Sequence, residues 1–124
     1  MKNDKEKFKN EFKKRLYYFV LSLITFVDKL PKNDPVCRVI SEQVIDSGTG
    51  MLSNYIEAQV ASSKKDFINY FHHCLKCCNE TKVWITLLRD SRKVNPKEAD
   101  KLLAELREIS DIFGSSLLTL KGKR

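Results

Sequence analysis

Apolar residues recur at helical spacing in four separate runs along this chain. The first is Phe8, Phe12, Leu16, Phe19, Leu23, Phe26 and Leu30, whose steps of four and three lie on one face of a helix. Leu30-Pro31-Lys32-Asn33-Asp34-Pro35 breaks it, two prolines bracketing a polar turn. Asp34 then stands as a cap with Pro35 at the first helical position. The second run carries Val36, Val39, Ile40, Val44, Met51, Tyr55 and Ile56, and Ser63-Lys64-Lys65-Asp66 after it is a weak capping box. The third, Phe67, Phe71, Cys74, Cys78, Thr81, Ile85 and Leu88, is a strict heptad. Asn95-Pro96-Lys97-Glu98 is the strongest cap and opens the fourth, Ala99, Leu102, Leu106, Ile109, Phe113, Leu117 and Leu120. The pattern predicts helices over about 6–30, 35–61, 64–92 and 96–121. Short links make neighbours antiparallel, so the expected fold is all-α, one up-down-up-down antiparallel four-helix bundle filling residues 1–124.

One stretch resists the pattern. Gly48 and Gly50 sit inside the second run, and an interior glycine costs about 1 kcal/mol against alanine. A loop over Ser47–Gly50 would leave two short, poorly patterned helices. A continuous helix instead presents Val44, Ser47/Gly48, Met51, Tyr55 and Ala58 on one face, bare in its middle. The continuous helix is the better fit, with the glycines admitting another helix in the bundle or across a subunit contact.

Composition fits an ordinary globular chain: 124 residues, 42% apolar and 31% charged. Four glycines and three prolines are too few for a many-stranded β design. No apolar run approaches the ~20 residues of a membrane span. The basic start followed by YYFVLSLITFV resembles a signal peptide, but Asp28, Lys29 and Pro31 stand where a cleavage site would lie. The expected location is cytoplasmic, with no membrane partner.

Charge adds more. Residues 1–16 hold seven Lys/Arg against three Asp/Glu, and 121–124 add three more basic residues; elsewhere the charges cancel, so the whole +7 sits at the chain ends. In the expected topology those ends meet, and Lys64 and Lys65 fall beside them. Solubilising tails are one account. A phosphate-binding patch is the other, made of Lys9, Lys13, Lys14, Arg15, Lys64, Lys65, Lys121, Lys123 and Arg124.

Ser47-Gly48-x-Gly50-Met51-x-x-Asn54-x-x-Glu57-Ala58 resembles the second-helix signature of the four-helix-bundle family related to proteins encoded in intervening sequences of large-subunit ribosomal RNA genes. That signature reads Arg-Ser-Ala-x-Ser-Ile-x-x-Asn-Ile-Ala-Glu-Gly. Phe67 and Cys74-x-Lys76-Cys77-x-x-Glu80 resemble the family's third-helix pattern. Asp46, Ile56 and Ala58 depart from it, replacing Arg, Ala and Gly. The resemblance implies a homo-oligomer, a pentamer in known members, with no established activity. A related group, the accessory proteins of diversity-generating retroelements, are basic pentamers that bind a reverse transcriptase and nucleic acid. Ile112-Phe-Gly-Ser-Ser-Leu with the terminal Lys-Gly-Lys-Arg is similar in style to their ends.

The tempting chemistry is HHCLKCC, with His72, His73, Cys74, Cys77 and Cys78. Zinc needs four tetrahedral ligands, and on one helix these pairs point apart; Cys37 is too distant to complete a set. Small core thiols are the simpler account, and no metal or cofactor is expected. Glu57 and Glu80 lack the Glu-x-x-His of bundle di-metal sites, so Asn54, Glu57 and Glu80 read as a structural polar network rather than a catalytic one. Tyr17 and Tyr18 read as core and rim of the first helix, with stacking on single-stranded RNA as the alternative. Trp84 reads as core or subunit contact. The sequence therefore predicts a non-enzymatic homo-oligomer that binds RNA or DNA by charge. The alternative is an interaction scaffold for a partner such as a reverse transcriptase.

Overall fold

A computed structural model describes residues 3–122 as four helices, with no strand among them. They are α1 (Asp4–Asp28), α2 (Pro35–Gln59), α3 (Lys64–Asp90) and α4 (Pro96–Leu120). Each begins at a side-chain cap. Asn3 accepts from the Glu6 N–H at 2.8 Å, which starts α1 two residues earlier than the hydrophobic pattern alone suggests. Asp34 accepts from Val36 and Cys37, Ser63 from Asp66, and Asn95 from Lys97 and Glu98.

The ends come slightly sooner than expected. At α1 the last turn tightens, Lys29 N–H reaching Phe26 O and Leu30 N–H reaching Val27 O, because Pro31 forbids continuation. At α3 the chain turns left-handed at Arg92 (φ 61°). Lys93 N–H bonds Leu88 O and Arg92 N–H bonds Arg89 O, the paired closure of a Schellman motif without its usual glycine.

The helices share one core. Leu16, Leu23, Met51, Ile85, Leu106, Ile109 and Phe113 are sealed from solvent within it. A smaller cluster of Phe26, Leu30, Cys37 and Leu88 fills the end at the α1–α2 and α3–α4 turns. Pairings run in opposite chain directions. Across α2 and α3, Ser47 meets Thr81 while Tyr55 meets Phe71; across α1 and α4, Phe12 meets Phe113 while Lys29 meets Glu98. The α1–α4 seam is the thinnest.

Helix α2 runs unbroken through both glycines, and each faces a different neighbour. A Cβ on Gly48 would lie 2.5 Å from Leu23 Cδ1 on α1; one on Gly50 would lie 2.9 Å from Cys77 Sγ on α3. The bare middle of the face thus serves two helix contacts within the chain. Leu23 is buried and cannot easily move, whereas the Cys77 thiol is half-buried and can swing aside. Gly48→Ala should lower the denaturation midpoint, its overpacking outweighing the helix-propensity gain by about 1 kcal/mol. Gly50→Ala should stay within about 0.5 kcal/mol of the parent, its clash offset by that gain.

The apolar run over α2 needs correction in detail. Val36, Val39 and Ile56 are exposed, and the buried stripe is Cys37, Val44, Ser47, Gly48, Met51, Tyr55 and Ala58. A β-branched surface residue looks like a core residue when only the sequence is available.

Candidate nucleic-acid interface

Four helix ends gather at one end of the molecule: the start of α1, the end of α2, the start of α3 and the end of α4. They surround a groove of 1030 Å³ lined by residues from all four, among them Lys5, Phe8, Lys9, Gln59, Phe67 and Leu120. Lys9, Lys64, Lys65 and Lys121 are exposed on or beside it. Asp4 and Asp111 also line it. Two helix N-termini and two C-termini meet here, so their dipoles offset, and the side-chain charges, Asp4 and Asp111 included, set the field.

Not every expected contact joins this group. Lys13 and Lys14 flank a shallow depression over the α1–α2 seam with Tyr17, Tyr18, Leu52 and Ile56. Arg15 is occupied: Nε donates to Glu105 Oε2 at 2.8 Å, and Nη2 donates to Glu105 Oε1 at 2.6 Å and Glu108 Oε2 at 2.7 Å. A guanidinium committed to two carboxylates is a poor phosphate ligand. Lys123 and Arg124 lie outside the described residues.

The Arg15 hydrogen bonds hold the Glu105 carboxyl below its ordinary 4.5. The pair's contribution is therefore complete above that value and disappears as pH falls through the folded pKa. Asp34 behaves alike: its bond from Lys93 Nζ (2.7 Å), then its cap bond from Cys37, lower it below 3.8. Arg15→Gln should cost about 0.5–1 kcal/mol near neutrality, a surface value because both groups are about a third exposed. The difference should vanish in acid-series denaturation once Glu105 is protonated.

The Ser47 and Thr81 hydroxyls lie 2.7 Å apart between α2 and α3, and each also reaches a backbone carbonyl, Gln43 O and Cys77 O. Two protons are shared among three contacts, so two are bonded at a time: one hydroxyl donates to the other, which in turn donates to its own helix. Asn54 Nδ2 donates to Gly50 O at 2.8 Å. Glu57 is exposed and Glu80 half-buried.

HHCLKCC divides between core and surface. Cys74 and Cys78 are fully buried, while His72 and His73 are exposed. Burial pushes the Cys78 thiol up to about 12 and the Cys74 thiol higher still. Cys74 Sγ donates to Met51 O at 3.6 Å. No group of three or more His, Cys, Asp or Glu among the described residues could hold a metal ion.

Three features escaped the sequence. Phe8 belongs to the core stripe by spacing yet is 53% exposed, because α2 ends at Gln59 and α3 begins at Lys64, leaving nothing over its turn. Tyr17 and Tyr18 are both exposed, their rings edge to face at 5.6 Å. The Trp84 indole N–H is buried without a partner, though the ring is only half-buried.

The fold and its end-loaded charge define an all-α protein built from four helices. Residues 9–115 match the 23S rRNA-intervening sequence protein family, and the chain belongs to that family. A similar solved structure is that of a protein with unknown function from the S23 ribosomal protein family of Bacteroides thetaiotaomicron, with 28% identity and a TM-score of 0.81. The match covers 88% of this chain and 96% of that one. Comparison with curated proteins gives no match. No helix among the described residues is long and apolar enough to cross a membrane.

Proposed function

We propose that the protein is a non-enzymatic, homo-oligomeric, up-down-up-down antiparallel bundle that binds nucleic acid by charge. Contact is through the end where α1 and α3 begin and α4 finishes. The supporting observation is that Lys9 lines the same groove as Phe67 and Leu120, next to Lys64, Lys65 and Lys121. Lys5 extends the set. Such a surface neutralises phosphates and releases counterions, giving a salt-dependent, sequence-tolerant affinity for RNA or DNA. The non-enzymatic reading is supported by Ser47, whose hydroxyl is engaged with Thr81 between α2 and α3, and by Asn54, whose amide donates to Gly50 O of its own helix.

Self-association is supported by the outer face of α1, where Tyr17, Tyr18, Leu21 and Ile24 are exposed. A ring such as the pentamer of the family's known members would repeat the basic end several times. The same stripe also favours the alternative, an accessory scaffold for a protein such as a reverse transcriptase. The test is a variant with Lys121, Lys123 and Arg124 changed to Gln. Nucleic-acid binding predicts a salt slope shallower by about 0.9 (duplex DNA) or about 0.7 (single strand) for each phosphate no longer neutralised. A scaffold predicts an unchanged slope.

A further inference from the structure

The groove at the basic end is lined with aromatic rings as well as lysines. Phe8 stacks on Phe12 (centroids 5.9 Å, planes 13° apart), and Phe67 stacks on Phe71 (4.6 Å, 28°). Phe12 and Phe71 both meet Phe113, so the two stacks rise from one floor, at 5.3 and 5.4 Å. Phe8 and Phe67 are their solvent-side ends, on α1 and α3, and both line the groove.

One polar atom in this lining is unsatisfied. Gln59 Nε2 donates to Tyr55 O at 3.3 Å, which fixes the amide's orientation. Its Oε1 is then buried with no partner. A buried acceptor without a donor is unfavourable, and a ligand bearing an N–H would relieve it.

Resting on the charge-based reading above, we propose that this groove takes unpaired nucleobases of a single strand. A base would stack on Phe8 or Phe67, its exocyclic amino group would donate to Gln59 Oε1 once that side chain swings out into the groove, and its phosphates would run past Lys5, Lys9, Lys64 and Lys65. Every base has a π-face, so stacking adds affinity without strict sequence preference. Bases in a duplex are already stacked and paired and cannot enter. Asp4 and Asp111, also in the lining, repel phosphate, so the strand's backbone is held by the lysines and not by these two residues.

The test compares a labelled single strand with its duplex at one fixed salt concentration, using the full chain. Wild type should prefer the single strand, and should bind oligo(A) or oligo(C) more tightly than oligo(U), which has no exocyclic amino group. Phe8→Leu should weaken single-strand binding about 5- to 100-fold. It should leave duplex binding and the salt slope unchanged. Phe8 is mostly exposed, so this change spares the fold. Phe8→Trp should keep the affinity, and its added fluorescence should be quenched by the strand. Gln59→Leu should erase the preference for amino-bearing bases.

Equal binding of single strand and duplex by wild type, with a normal salt slope, would overturn base insertion and leave charge-based binding standing. Absence of any binding at low salt would remove both. If Phe8→Leu leaves oligonucleotide binding intact but weakens self-association or capture of an amphipathic helical peptide, the groove docks protein and the proposal fails.

Discussion

Phe113→Ala should destabilise the fold by about 3–5 kcal/mol, the usual cost of emptying a buried phenylalanine site. Phe113 is sealed from solvent and touches Phe12, Tyr55 and Phe71, rings carried by the other three helices. Its removal takes away the floor on which those rings pack, and no single neighbour can refill the space. Tyr55 is further held by its hydroxyl donating to Lys9 O at 3.3 Å, which restrains collapse into the cavity. Domains of this kind are stable by only about 5–15 kcal/mol, so the loss is a large share of the total. Denaturation should show a lower midpoint with an unchanged slope. Phe113→Leu, closer in volume, should cost much less. Similar losses for both would mean that the ring's shape matters more than its bulk.

Changing Lys9, Lys64, Lys65 and Lys121 together to Gln should have the largest effect on binding. If each lysine meets a phosphate, the salt slope falls by about 0.7 per residue on a single strand and about 0.9 on duplex DNA. Affinity near physiological salt should then fall steeply, because the charges that carry this sequence-tolerant binding are gone. All four side chains are exposed, so thermal stability should barely change. The control is Lys13 and Lys14 changed together, which lie over the α1–α2 seam with Tyr17 and Tyr18. Their loss should weaken binding less. If the control pair proves the stronger, the contact surface is the side of α1 and not the end of the bundle.

Much of the fold was legible in the sequence because helices announce themselves by period and by caps. Asp34, Ser63 and Asn95 cap where their residue types and following positions indicate. The unbroken α2 was legible too, since a loop at the glycines would have stranded two weak helices. Which helix each glycine admits was not, because it depends on Leu23 and Cys77, far away in the chain. The same limit governs the candidate site. Lysines at the chain ends were visible as excess charge, but Arg15 pairs with Glu105 and Glu108 some ninety positions away. Phe8 fits the core stripe by spacing, and only the lengths of the neighbouring helices leave it bare. Periodicity tells which face of a helix turns inward; it does not tell where the partner helix stops.

Both functional proposals depend on this end of the bundle engaging phosphates. Fluorescence anisotropy of a labelled mixed-sequence RNA, and of the equivalent DNA, titrated with wild-type protein across a salt series, tests that dependence without any mutation. Binding is expected at low salt, the logarithm of affinity falling linearly with the logarithm of salt concentration by about 0.7 for each phosphate engaged on a single strand. No binding of either strand even at the lowest salt would contradict it, and the charge of +7 would then serve solubility alone.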